Sequence, residues 1–95
     1  MVMIIGLLKL ELYFPMAFSL KDKRSIIKSI MEKGRQRFNI SISEIDNNEL
    51  WKNATLGVVT VSNNKGYAEK LLTGTLNFIE NYNGLEIIDS KFEYF

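Results

Sequence analysis

The stretch SLKDKRSIIKSIMEKGRQRF, Ser19 to Phe38, decides the fold, because it is a long helix set between two strand-like runs. Ser19 is an N-cap side chain, and Asp22 three residues later supplies a short-armed capping box and a negative charge in the first turn. At about 100° per residue, Leu20, Ile27, Ile30, Met31, Gly34 and Phe38 form one apolar stripe that a sheet must cover. A glycine inside a helix costs about 1 kcal/mol against alanine, so Gly34 predicts close approach of helix to sheet. The stretch also holds seven of the twelve basic residues and two of the eleven acids, which puts +5 on it and −4 on the rest of the chain. On the wheel Lys21, Arg24, Lys28 and Arg35 lie within about 60° of one another along one shoulder of the apolar stripe, with Lys33 and Arg37 on the other shoulder.

Ahead of the helix, residues 2–14 alternate as a half-buried strand: Ile4, Leu8, Leu10 and Leu12 on one face, Lys9, Glu11 and Tyr13 on the other. Met3, Ile5 and Leu7 break the pattern by making one end of the outer face apolar. Pro15 ends the strand, since it has no N–H to give a ladder. After the helix, Ile40 and Ile42 alternate with Ser41 and Ser43 into Glu44, Ile45 and Asp46, and Asp46-Asn47-Asn48 signals a turn that tolerates left-handed geometry. Residues 54–62, ATLGVVTVS, are β-branched and apolar on both faces, as in a central strand. Asn63 and Asn64 cap a second helix to about residue 82, with Tyr67, Leu71, Leu72, Phe78, Ile79 and Tyr82 at helical spacing and Gly84 as its stop. LEIIDSKFEYF closes as a strand with Ile88, Phe92 and Tyr94 on one side.

The order β-α-β-β-α-β is the split βαβ, or ferredoxin-like, arrangement: an α+β sandwich of one four-stranded antiparallel sheet with two helices on one face, because both crossovers are right-handed. Residues 1–95 read as a single ferredoxin-like domain, without linker or repeat. The other sheet face is then open. Met3, Ile5, Leu7, Val59 and Val61 make it apolar, and self-association through a sheet face or edge is the expected reason.

Composition removes much chemistry. The sequence has neither Cys nor His, so disulfides, thiolate ligands, the commonest general base and the commonest metal ligand are all missing. No cofactor or metal site is expected. The N-terminal run MVMIIGLLKLEL is apolar for about eight residues, lacks a basic start and a cleavage site, and falls short of the roughly 20 residues of a membrane span. Cytoplasmic residence, with no membrane partner, is the expectation.

The segments GLLKLEL, SLKDKRSIIKSI, RFNISISEID, LWKNATLGVVTVSN and LEIIDSKFE, in this order and spacing, resemble the YlxP-like family of small bacterial proteins, a domain of unknown function. The resemblance spans about residues 4–93. It is carried most specifically by Ser19-Leu20-Lys21 with Lys23-Arg24, Arg37-Phe38-Asn39, Glu44 with Asp46, and Leu50-Trp51 leading to Ala54-Thr55-Leu56-Gly57. It implies a ferredoxin-like fold and no established activity. The family's gene neighbourhood, beside an initiation factor and a ribosome-binding factor, implies ribosomal RNA or a ribosomal subunit as partner. Asn47-Asn48 departs from the family, whose members are expected to carry His followed by Gln or Asn.

Phosphate contacts by Lys and Arg supply most nonspecific nucleic-acid affinity. Lys21, Arg24, Lys28 and Arg35, with Lys23 and Arg37 secondary, are therefore the candidate nucleic-acid-binding residues, and the N-terminus of the helix adds an anion site beside them. The bland reading is that long basic side chains only cover the edges of an apolar stripe. An RNA-recognition motif is not indicated, because the third strand has no aromatic residue on which a base could stack. Tyr13, Phe14 and Phe18 could stack one, but read as core and loop packing; Trp51 reads as a core or interface anchor. Glu44, Asp46 and Glu49 could hold a hard cation, or simply form a polar edge; Glu44 and Asp46 share a strand face on simple alternation. Ser19 and Ser25 have no base, and the glycines form no phosphate loop. The chain thus reads as a non-enzymatic RNA- or ribosome-associated factor; the alternative is an oligomeric small-molecule-binding or regulatory module that uses the open sheet face.

Overall fold

Alternation along the first apolar run has the expected result: Leu8, Leu10 and Leu12 are buried. The computed structural model describes residues 1–95, with elements β1 (Ile4–Tyr13), α1 (Leu20–Arg37), β2 (Ser41–Asp46), β3 (Asn53–Ser62), α2 (Lys65–Glu80) and β4 (Glu86–Tyr94). The strands form one sheet in the order β2-β3-β1-β4, every neighbour antiparallel. Helix α2 packs on β1, β3 and β4, and α1 packs on β2. This is the ferredoxin-like α+β arrangement.

The core lies between sheet and helices. Leu8, Leu10 and Leu12 from β1 and Ala54, Leu56 and Val58 from β3 meet Ile27 and Ile30 of α1 and Leu72 and Ile79 of α2. Gly6 lets β1 come tight under this layer, since a side chain there would meet Leu72 Cδ1 at 2.9 Å and Tyr94 Cε1 at 3.3 Å. Burial of the Tyr94 phenol, with a further push from the Glu69 carboxylate, raises its pKa above 10.0. No element covers the opposite face, where Ile5, Leu7 and Val59 are half-buried and Met3 and Val61 exposed.

Both helix starts are capped as their sequences indicate. Ser19 Oγ accepts from the Asp22 N–H (3.1 Å), while Asp22 Oδ2 reaches one residue past the cap to accept from the Phe18 N–H (2.9 Å). Asn64 Oδ1 accepts from the Tyr67 N–H (2.9 Å). Helix α2 stops at Glu80, and Gly84 follows with φ +94, in the turn to β4.

Two bulges change the alternation. One shifts the β1–β4 register so that Glu11 faces Asp89 while Leu12 faces Ile87. Ile87 therefore packs against the core, and Ile88, expected beside Phe92 and Tyr94, is left 61% exposed. The other falls at Ile45: Glu44 pairs with Leu56 on the helix-covered side, whereas Asp46 pairs with Thr55 on the open side. Glu44 and Asp46 do not share a face. Simple alternation misplaces them because a bulge adds one residue to one strand only.

Gly34 also differs from expectation. A Cβ added there would lie 3.7 Å from Ile40 Cδ1 and 3.9 Å from the Phe78 ring, which is ordinary contact. Among the helix glycines the tightest is Gly74 on α2, where a Cβ would stand 3.2 Å from the Phe38 ring. Gly34→Ala should accordingly stabilise the protein by about 0.5–1 kcal/mol through helix propensity. Urea unfolding checks this, and a lower midpoint would show that the site has no room for the methyl group.

Candidate nucleic-acid interface on the first helix

Helix α1 meets its surroundings on three sides. Its covered side, Ile27, Ile30 and Gly34, is buried against the sheet. One shoulder faces α2: Ser29 and Tyr82 share a hydroxyl hydrogen bond, Lys33 Nζ stands 5.5 Å from the Tyr82 ring centre, and the Arg37 guanidinium lies 5.6 and 5.7 Å from the Phe38 and Phe78 rings. The remaining shoulder carries Lys21, Arg24, Lys28 and Arg35, all exposed.

Within that ridge, Lys21, Arg24 and Lys28 have no hydrogen bond or ion pair with any other side chain; the chain's two ion pairs are Lys9–Glu11 and Lys23–Glu44. Arg35 gives Nη2 to the Ile42 carbonyl of edge strand β2 (3.0 Å), leaving its other donors free. Glu32 falls on the same shoulder, one turn from Lys28 and from Arg35, and moderates the charge at the C-terminal half. The unopposed charge is therefore concentrated in the first two turns and a half.

Lys23 does not belong to this surface. It is 0% exposed, and its ammonium gives its three protons to Glu44 Oε2 (3.1 Å), the Asn47 carbonyl (2.8 Å) and the Asn53 carbonyl (3.0 Å). The Glu44 side chain is itself only 13% exposed. No proton remains for a phosphate, so Lys23 is corrected from a secondary nucleic-acid contact to a structural tie between α1 and the β2–β3 turn. Asn47, the first residue of that turn, takes the left-handed conformation (φ 64), and its amide donates to Thr55 Oγ1 (3.2 Å). Arg37 is exposed, on the other shoulder where its wheel angle puts it. It stands across the helix from the ridge, lining a groove of about 520 Å³ with Phe38, Gly74 and Phe78.

Aromatic groups gather at the N-terminal end of α1. Phe18 is 72% and Trp51 54% exposed, with Met16 and Leu50 exposed beside them in sequence. Their two loops are joined: the Phe14 N–H donates to the Lys52 carbonyl (2.8 Å), and Lys52 Nζ donates to the Pro15 and Ala17 carbonyls (2.9 and 3.1 Å). Lys52 Nζ also lies 5.8 Å from the Phe18 ring centre. Phe14 is buried as expected, whereas Phe18 lies at the surface of its loop and not in the core, and Trp51, read as a core or interface anchor, is not part of the core.

The open sheet face carries a shallow trough of about 510 Å³ lined by Leu7, Lys9, Ser43, Ile45, Thr55 and Gly57. Ile45 reaches it through the bulge, standing over Gly57. Thr55 Oγ1 at its end donates to Glu11 Oε2 (2.7 Å).

With this geometry in place, residues 5–92 match a family model whose description is "Protein of unknown function (DUF503)". The chain belongs to this family. Its relative in Bacillus subtilis (strain 168), an uncharacterized protein called YlxP, is 34% identical over 91 residues, covering 96% of this chain and 99% of the relative. Among solved structures, the de novo designed protein Foldit4 superposes with a TM-score of 0.52 at 15% identity, over 98% of this chain and 93% of the design. That likeness concerns the fold alone. The DUF503 description assigns no activity to the family, and no helix of this member is long and apolar enough to cross a membrane.

Proposed function

We propose that this DUF503 member is a non-enzymatic accessory factor that acts in the cytoplasm and binds the phosphate backbone of structured RNA, ribosomal RNA in the first instance, through the exposed shoulder of α1. The observation that carries the reading is the absence of any acidic partner for Lys21, Arg24 and Lys28. Seven residues of helix put Lys21 and Lys28 about 10.5 Å apart along the axis, with Arg35 the same distance further on, so each cation can take a separate phosphate. The exposed Phe18 and Trp51 at the same end of α1 offer faces for unpaired bases. Nothing in the ridge reads sequence. The reading is of shape and charge.

Binding of ribosomal RNA or small-subunit particles, followed as a function of salt, tests it. The combined substitution of Lys21, Arg24 and Lys28 by Gln should lower affinity and reduce the slope of log K against log salt by about 3, roughly one for each phosphate no longer neutralised. Arg35→Gln should add less, because its guanidinium already serves Ile42. An unchanged slope in the triple variant would sink the reading. The open-face trough supports the competing small-molecule module, since its Leu7 and Ile45 walls and Lys9 could hold a small amphipathic ligand; thermal-shift screening of the triple variant separates the two.

A further inference from the structure

Strand β4 is an edge of the sheet, with β1 as its single neighbour. Phe95 and Ile5 exchange both backbone hydrogen bonds, Phe95 N–H to Ile5 O (2.9 Å) and Ile5 N–H to Phe95 O (3.0 Å). Alternate residues Glu93, Lys91 and Asp89 therefore also turn their backbone groups toward β1, and Tyr94, Phe92 and Ser90 turn theirs outward. The outward Ser90 N–H has no strand partner and is held by Asp89 Oδ1 (3.0 Å). Apart from that capped donor the outward row has no strand partner, and such a row is a template for another strand.

The side chains on β4 make like-charge neighbours inside one chain. On the open face Lys91 stands directly opposite Lys9, and Asp89 directly opposite Glu11. Like charges facing each other across a sheet are destabilising. At the same strand, Ile88 is 61% and Phe92 37% exposed.

We propose that β4 pairs antiparallel with β4 of a second copy about a two-fold axis at Ser90, joining two sheets into one of eight strands. In that register Ser90 faces its own counterpart, Lys91 faces the partner's Asp89, and Phe92 faces the partner's Ile88. Each charged row then runs Lys9, Lys91, the partner's Asp89, the partner's Glu11, so that opposite charges meet at the junction. The exposed Phe92 and Ile88 cover each other on the other side. A two-fold junction of this kind is self-complementary, which a closed dimer requires. Because α1 packs on β2 at the far edge of the sheet, its basic ridge stays free in both copies, and this inference is independent of the RNA reading.

The test is the mass in solution. The whole protein should sediment at twice its 11.0 kDa chain mass. Ser90→Pro should halve that mass, since proline removes an outward N–H that β1 does not use, and an edge position tolerates proline. Asp89→Lys and Lys91→Asp should each be monomeric through repulsion at the junction, and an equimolar mixture of the two should recover the dimer mass. Circular dichroism confirms that each variant is folded. A lysine and a bulge on an edge strand also serve to keep edges apart, so a monomeric parent protein at its highest soluble concentration would overturn the proposal. So would a dimer that survives all three substitutions, or charge variants that stay apart on mixing.

Discussion

Lys23→Ala should cost about 3–5 kcal/mol of stability, the range for removing one partner of a buried ion pair. Against the 5–15 kcal/mol total of an ordinary domain, about a fifth or more of the stability is at stake. The reason is the number of groups left without a partner: the Glu44 carboxylate, only 13% exposed, and the Asn47 and Asn53 carbonyls lose their shared donor together. Urea unfolding gives the value, and a double-mutant cycle gives its origin. Lys23→Met with Glu44→Leu removes both charges, and should be less destabilised than Lys23→Ala despite altering two residues, because the uncompensated carboxylate is gone. If the double variant were worse than the single one, the pair would be net stabilising beyond its desolvation cost. The loss should be local first: α1 and the β2–β3 turn are tied by this ammonium, so hydrogen exchange at Asn47 to Asn53 should rise before that of β1.

Lys23 also marks how far residue type misleads. At about 100° per residue it falls between Ile30 and Gly34, in the middle of the apolar stripe, so its burial is legible from the wheel angle. Classing it with Lys21 and Arg24 as basic hides that, because a lysine is expected at the surface unless its partner is known. The partner, Glu44, lies 21 residues away and reaches the helix-covered side by strand alternation. Hydrophobic period places the remaining elements well: β1, β3 and both helices follow from local pattern and caps. Bulges do not show in it. Ile45 and Ile88 look like ordinary strand residues, and the extra residue each contributes depends on the register of a neighbouring strand. Phe18 misleads because aromatic side chains are commonly buried, and its exposure at 72% depends on how its loop is laid over the fold rather than on local pattern.

Leu10→Ala should cost about 2–5 kcal/mol, and the comparison with Leu7→Ala tests which sheet face is the core. Leu10 lies at the centre of β1, a central strand, with Leu56 opposite on β3 and Ser90 opposite on β4, and is 0% exposed beneath the helices. Its neighbours are held by two strands and the helices, so the cavity collapses poorly and the cost should sit in the upper half of the range. Leu7, three residues earlier on the uncovered face, is half-buried between Val59 and Glu93, and truncating it leaves a dent open to water rather than a void. Its cost should be about 1 kcal/mol, from reduced apolar burial alone. Unfolding of the two variants at equal protein concentration reads the difference directly. Near-equal losses would mean that the open face is covered in solution by another surface. Pairing along β4 leaves Leu7 uncovered, so such a result would point to sheet-face stacking in place of edge-to-edge joining.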